Sequence, residues 1–249
     1  MDISINKYIS ETGFCSRREA DKYIDQGRVT INDNVALKGN RVGPGDVVEI
    51  DGEPLKKKRK ESTYIALNKP KGITCTTDLK DKTNIIDYVN FKTRIFPIGR
   101  LDKLSEGLIF LTNDGDIVNK ILRAGNQHEK EYIVTVDQPI TLEFIKAMRS
   151  GVKILGTVTQ KCFVQQEGDR RFRIILTQGL NRQIRRMCEA LGYKVETLKR
   201  TRIMNMTLKD LPVGKWRFFT KDEIDTINKM VATSSKTQDG KSNLEGMDE

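Results

Sequence analysis

The sequence predicts an α+β chain in two domains, a small α/β unit followed by a larger mixed domain. Three observations carry this. At 249 residues the chain can bury a sizeable core and has room for more than one domain. A cationic run, Lys56-Lys57-Lys58-Arg59-Lys60, separates two stretches that each have their own apolar periodicity. Beyond that run, strand-like alternation is interleaved with helical spacing.

In the first stretch Ile5, Tyr8 and Ile9 mark a helix, with Gly13 as its stop. Ser16-Arg17-Arg18-Glu19 has capping-box spacing, a Ser at the N-cap and a Glu three residues on. The helix it opens buries Ala20, Tyr23 and Ile24 and ends at Gly27; Arg17, Arg18, Lys22 and Arg28 are available on the exposed side of the unit. Short strands follow at 29–31 and 47–50, with turns at Asn32-Asp33-Asn34 and Gly43-Pro44-Gly45-Asp46. The first domain is therefore placed at 1–61, with 56–61 as a solvated basic linker.

The second domain, 62–232, opens on an apolar strand at 63–67 that runs into Asn68-Lys69-Pro70-Lys71-Gly72. Further strands are expected at 108–112, 132–136 and 172–176. In the middle one, Tyr132, Val134 and Val136 share a face by period-two alternation. Ile117, Val118, Ile121 and Leu122 mark a helix. Another helix takes Asn181 as N-cap and Gly192 as stop, and buries Ile184, Met187, Cys188 and Leu191 at i, i+3, i+4 and i+7. Arg182, Arg185 and Arg186 lie off that face. Cations beside the positive end of a helix dipole are disfavoured, so a bound anion or a carboxylate partner is expected there. Trp216 should pack beside Phe218. Residues 233–249 are polar and are read as a disordered tail.

The net charge is +10. Residues 1–61 contribute +1 and residues 221–249 contribute −3, so the excess lies in the middle of the chain. Such a surface suits a polyanion and salt-sensitive binding. No run approaches the roughly 20 apolar residues that span a bilayer, and Met1-Asp2-Ile3-Ser4 does not resemble a signal peptide. Cys15, Cys75, Cys162 and Cys188 are far apart and read as free thiols of a cytoplasmic protein. With His128 as the one histidine, a zinc site or a Ser-His-Asp triad is not expected. Chemistry must run on carboxylates, Tyr, Lys or Arg.

The carboxylate that stands out is Asp102. It lies in Gly99-Arg100-Leu101-Asp102-Lys103-Leu104-Ser105-Glu106-Gly107-Leu108, between two cations and just ahead of an apolar strand. A Gly-x-x-Asp is ordinarily a turn. Here Arg100 and Lys103 flank the acid, and Arg185 could supply a third cation. Opposite charges hold an aspartate ionised, and an ionised, positioned carboxylate suits nucleophilic or general-base work. Lys69, beside it, would add to an anion site.

Four runs occur in this order: Asn68-Lys69-Pro70-Lys71-Gly72, Gly99-Arg100-Leu101-Asp102, Lys130-Glu131-Tyr132 and Asn181-Arg182-Gln183-Ile184-Arg185-Arg186-Met187. Together they resemble the motifs of RNA pseudouridine synthases, in the branch that modifies ribosomal RNA and carries an N-terminal S4 domain. Phe96-Pro97-Ile98, the run 126–132 and Arg200-Thr201-Arg202-Ile203-Met204-Asn205 are similar to the F-type large-subunit branch. The likeness covers roughly residues 3–230.

The resemblance implies an S4-like RNA-binding domain followed by a catalytic domain with a mainly antiparallel sheet. It implies that Asp102 attacks the target uridine, that Tyr132 packs on the base and assists proton removal, and that Arg185 pairs with the aspartate. Arg100 would fill the gap left by the extruded base. Ser105 stands where relatives often have Thr. Lys69, Lys103, Arg182, Arg186, Arg17, Arg18 and Lys22 are the expected RNA contacts. The isomerisation needs no cofactor or metal, in keeping with the lack of a phosphate loop or nucleotide fingerprint. The expected partner is 23S ribosomal RNA or its precursor, with no membrane and with the protein as a monomer. Two alternatives stand beside this reading: the same chemistry on a tRNA anticodon arm, and a non-catalytic ribosome-assembly factor.

Overall fold

The structure is a computed structural model that describes residues 2–56, 62–122 and 127–232. The chain divides into two compact units, residues 1–61 and 62–249. Apart from Lys56, the basic linker expected at 56–61 lies outside the described residues, as does the tail expected at 233–249.

In the first unit β1 (Ile3–Ser4) leads into α1 (Ile5–Thr12) and α2 (Arg17–Asp25). Gly13 ends α1 in the left-handed region, at φ 86°. The capping box opens α2: Ser16 Oγ accepts from the Glu19 N–H, and the Glu19 carboxylate accepts from the Ser16 N–H. β2 (Val29–Ile31) and β3 (Asn34–Val35) form a hairpin whose turn residues, Asn32 and Asp33, both have positive φ. That is the conformation a two-residue hairpin turn requires. β4 (Arg41–Val42), β5 (Val48–Ile50) and β6 (Glu53–Pro54) complete the unit, in which β3-β2-β5-β6 form one sheet and β1 pairs with β4. Ile5, Ile9, Ala20, Ile24, Val29, Val48 and Ile50 make the core. Tyr23, expected among them, is only partly buried against it, because its ring meets the guanidinium of Arg28.

The second unit runs β7 (Tyr64–Lys69), α3 (Ile85–Val89), β8 (Phe96–Ile98), β9 (Glu106–Thr112), α4 (Gly115–Leu122), β10 (Lys130–Val136) and α5 (Leu142–Ser150). It continues through β11 (Lys153–Ile154), β12 (Thr157–Val158), β13 (Phe163–Gly168), β14 (Arg171–Leu176), α6 (Gln183–Ala190), β15 (Val195–Ile203), β16 (Met206–Thr207), β17 (Trp216–Phe218) and α7 (Lys221–Val231). A nine-stranded sheet dominates it, ordered β13-β14-β10-β15-β9-β7-β17, with β16 on β15 and β8 on β9. Its pairings are antiparallel except between β9 and β15. Trp216 and Phe218 meet edge to face at 5.5 Å.

Burial on this sheet follows strand parity. Ile65, Leu67, Ile109 and Leu111 pack against Ile85 and Val89 of α3, while their neighbours Tyr64, Ala66, Leu108 and Phe110 pack against α4 and α7. All six residues of β7 are therefore buried. Farther along the sheet, Val134, Val136, Phe172 and Ile174 pack with Phe144, Met148, Ile184 and Met187 of α5 and α6. Tyr132 touches both this cluster and the α3 cluster, which places it at the seam between the two half-cores.

The parallel β9–β15 contact lies at the same seam and is short, with partners Lys199–Glu106 and Arg200–Gly107. Gly107 is required there. A Cβ on it would fall 2.2 Å from the Arg200 carbonyl oxygen, and its φ is +112°. Among the described residues no helix is long and apolar enough to cross a membrane.

Candidate active site

Asp102 lies on the loop that joins β8 to β9, and several local contacts fix its backbone. The Leu101 side chain is buried, and its N–H donates to Cys75 Sγ at 3.4 Å. The Ser105 N–H donates to the Asp102 carbonyl at 2.9 Å, and the Gly72 N–H donates to the Lys103 carbonyl at 2.7 Å. The turn thus holds Asp102 above the seam. Its side chain keeps 29% of its surface exposed.

Arg185 meets it from α6. Its Nε donates to Asp102 Oδ2 at 3.2 Å, Nη2 to Ser105 Oγ at 3.1 Å, and Nη1 to the Val195 carbonyl at 3.3 Å. The guanidinium is therefore held on three sides, and its charge is paired with the carboxylate. Arg182 Nη1 stands 3.9 Å from the same carboxylate oxygen. The acidic partner expected at this helix N-terminus is Asp102 itself.

Two expectations about α6 require correction. Arg185 does not lie off the buried face; the residue is 7% exposed, because its fork reaches into the seam. Asn181 is not the N-cap. Arg182 occupies that position in the left-handed region (φ 48°, ψ 33°), with no side-chain cap. Asn181 instead accepts from Arg186, Nε to its carbonyl at 3.1 Å and Nη2 to Oδ1 at 3.2 Å. Arg186 is thus engaged with its own loop, whereas Arg100 and Lys103 are exposed beside the site.

Lys69 needs a third correction. It was expected among the RNA contacts, yet it is fully buried, and its Nζ donates to the Pro70 and Ile73 carbonyls at 2.8 and 2.9 Å. It braces the loop after β7 and cannot touch RNA from there. Burial lowers its pKa, while the Cys75 and Asp102 side chains counteract the shift.

Register aligns the floor of the seam. Lys69 pairs with Gly107, Gly107 with Arg200, and Arg200 with Tyr132, so these residues form one row across β7, β9, β15 and β10. Tyr132 is half-buried there, against the cluster that contains Leu101. Sequence reasoning missed Ser105 as an Arg185 partner, Arg182 as a second cation on Asp102, and any site role for Arg200, which it used only within the run 200–205. Alternation alone sets Arg200 beside Glu196, Leu198 and Arg202; its burial with Val195, Leu198 and Ile203 depends on register shifts between β10 and β15 that spacing does not show. His128 is buried, and burial together with Lys130 lowers its pKa. Arg17, Arg18 and Lys22 are exposed on α2 of the first unit. Among the described residues no three His, Cys, Asp or Glu side chains gather as a metal site.

Residues 63–190 match the family model described as RNA pseudouridylate synthase, and residues 4–48 match the S4 domain model. The dual-specificity RNA pseudouridine synthase RluF of Escherichia coli (strain K12) is 59% identical over 94% of this chain and 81% of its own length. The ribosomal large subunit pseudouridine synthase B of Bacillus subtilis (strain 168) is 33% identical over 88% of this chain and 93% of its own. A solved structure, a crystal structure of a pseudouridylate synthase, matches with a TM-score of 0.66 at 29% identity. It covers 90% of this chain and 99% of that one.

Proposed function

The chain belongs to the RNA pseudouridylate synthase family, with an S4 domain ahead of the synthase domain, and from that premise we propose that Asp102 isomerises a uridine of 23S ribosomal RNA. The isomerisation breaks the N1–C1′ bond and forms a C5–C1′ bond. C5 loses a proton and N1 gains one, with no change of oxidation state and no group donor. A stacked uridine must first be flipped out, at a cost of a few kcal/mol.

The observation that carries this reading is the Asp102–Arg185 pair. It supplies a carboxylate that is charge-paired on one oxygen and partly exposed, set in a fixed turn. Such a group can add to the pyrimidine ring or to the ribose. Tyr132, at the seam, packs on the base and assists removal of the C5 proton. Arg100, exposed three residues after Pro97, occupies the space that the base vacates. Lys103 and Arg182 hold phosphates near the site, and Arg17, Arg18 and Lys22 hold RNA on the S4 domain. Arg186 acts through the Asn181 loop. The protein works as a cytoplasmic monomer.

A non-catalytic assembly factor does not survive the family assignment. A second RNA substrate does: the dual-specificity wording in the name of the 59%-identical relative favours it, and a tRNA anticodon arm is the candidate. Pseudouridine mapping in cells with and without the protein tests the assignment. Loss of a pseudouridine from large-subunit RNA is expected. If every ribosomal site persists and a tRNA site disappears, the ribosomal assignment fails.

A further inference from the structure

Arg200 is a buried cation that the chemistry above does not use. The residue is 4% exposed. Its Nε donates to the Leu108 carbonyl at 2.6 Å, which fixes the guanidinium, but Nη2 has no acceptor among the described residues. Leaving a charged donor unpaired in the interior costs about 1–3 kcal/mol or more, so its retention calls for an explanation. The surroundings do not provide one. Arg200 shares its neighbourhood with two further buried cations, Lys69 and Lys130, on both of which its charge acts. Cys75, Asp102 and Glu106 are near enough to act on Lys69 as well. By register Arg200 sits directly across from Tyr132, on the floor of the seam above which Asp102 is held.

The reaction produces a matching acceptor. If the carboxylate adds to the pyrimidine ring, negative charge moves onto a carbonyl oxygen. If it displaces the base from the ribose, the base departs as an anion with its charge shared by its carbonyl oxygens. Nη2 has almost no accessible surface in the structure, so the base must open a path to it. We propose that on entry of the flipped uracil Nη2 of Arg200 donates to one of the base's carbonyl oxygens and stabilises the charge that develops there. A water-excluded donor that meets developing charge is an efficient device for this. The inference rests on the uridine-isomerase reading with Asp102 as nucleophile.

The test is a coupling measurement in single turnover, with the full chain and an RNA fragment carrying uridine, 2-thiouridine or 4-thiouridine at the target. Sulfur is a weak acceptor, so the substitution that removes the Arg200 contact should slow wild type about 10–100-fold. The same substitution should have little effect in Arg200→Met, because the contact is already absent. Equal fractional effects in both enzymes, as a purely structural Arg200 would give, overturn the proposal. If Arg200→Met does not fold, Arg200→Lys takes its place. Wild type indifferent to both thio substitutions overturns the proposal without any variant. An Arg200-dependent loss seen with a phosphorothioate at the target and with neither thiocarbonyl would place Nη2 on phosphate and overturn it too. Wild type that releases no C5 hydrogen from plain uridine refutes the isomerase reading itself. Normal release without coupling refutes only Arg200.

Discussion

Arg185 binds three groups on two segments at once: Asp102 and Ser105 of the turn before β9, and Val195 at the start of β15. A lysine keeps the charge but has one ammonium and no planar fork, so it cannot serve all three. Arg185→Lys should therefore slow single-turnover isomerisation about 10–100-fold, the loss of one charge-assisted hydrogen bond. RNA affinity should stay nearly unchanged; an unaltered rate would show that the fork does not position Asp102. At this scale the sequence revealed the acid and its arginine but not their setting. Lys69 finds its acceptors locally, on Pro70 and Ile73, but its full burial comes from pairing with Gly107 in β9, which spacing does not show. The pairing of Arg185 with Ser105 spans 80 residues and is equally invisible to spacing.

Among the elements, those set by local chemistry were readable. The Ser16–Glu19 box opens α2 as expected, and the strand-like runs at 108–112, 132–136 and 172–176 became β9, β10 and β14, each extended by one or two residues toward its start. The same box at Thr220 and Glu223 opens α7, a helix not among those expected although its signal was equally plain. α6 failed at its first residue for a non-local reason. Arg182 takes a left-handed conformation where its guanidinium meets Asp102 from another element. The parallel join of β9 to β15 was likewise beyond the sequence, since it depends on how closely two distant backbones approach at Gly107. Gly107→Ala should cost on the order of 3 kcal/mol and abolish activity, because its Cβ would collide with the Arg200 backbone. Urea unfolding followed by Trp216, the one tryptophan, reads this in the second unit. An unchanged midpoint would contradict it.

For the molecule as a whole, the buried cations leave a signature in stability against pH. Burial, with Arg200, pushes Lys130 down to about 8 from an ordinary 10.5, and burial lowers Lys69 as well. Between these values the unfolded chain binds a proton that the folded chain does not, so stability rises with pH. Above 9 the thiols oppose this: burial raises Cys162 to about 11 and Cys188 to about 12, so the unfolded chain ionises first. The net rise should therefore appear between about pH 8 and 9, by at most about 1.4 kcal/mol per pH unit for Lys130, and should flatten in Lys130→Met. Stability that falls over that window in wild type would contradict it. Binding belongs to the same scale. Arg17→Ala with Arg18→Ala should weaken RNA binding and lower the salt slope by up to about two, whereas an unchanged slope would remove α2 from the interface. The central claim is that Asp102 performs the chemistry on a uridine. It is tested most directly by release of C5 tritium from a labelled ribosomal RNA fragment, with wild type and Asp102→Ala compared at matched RNA occupancy. Release by wild type and none by the variant, with RNA still bound, is expected; full release by Asp102→Ala would contradict the account.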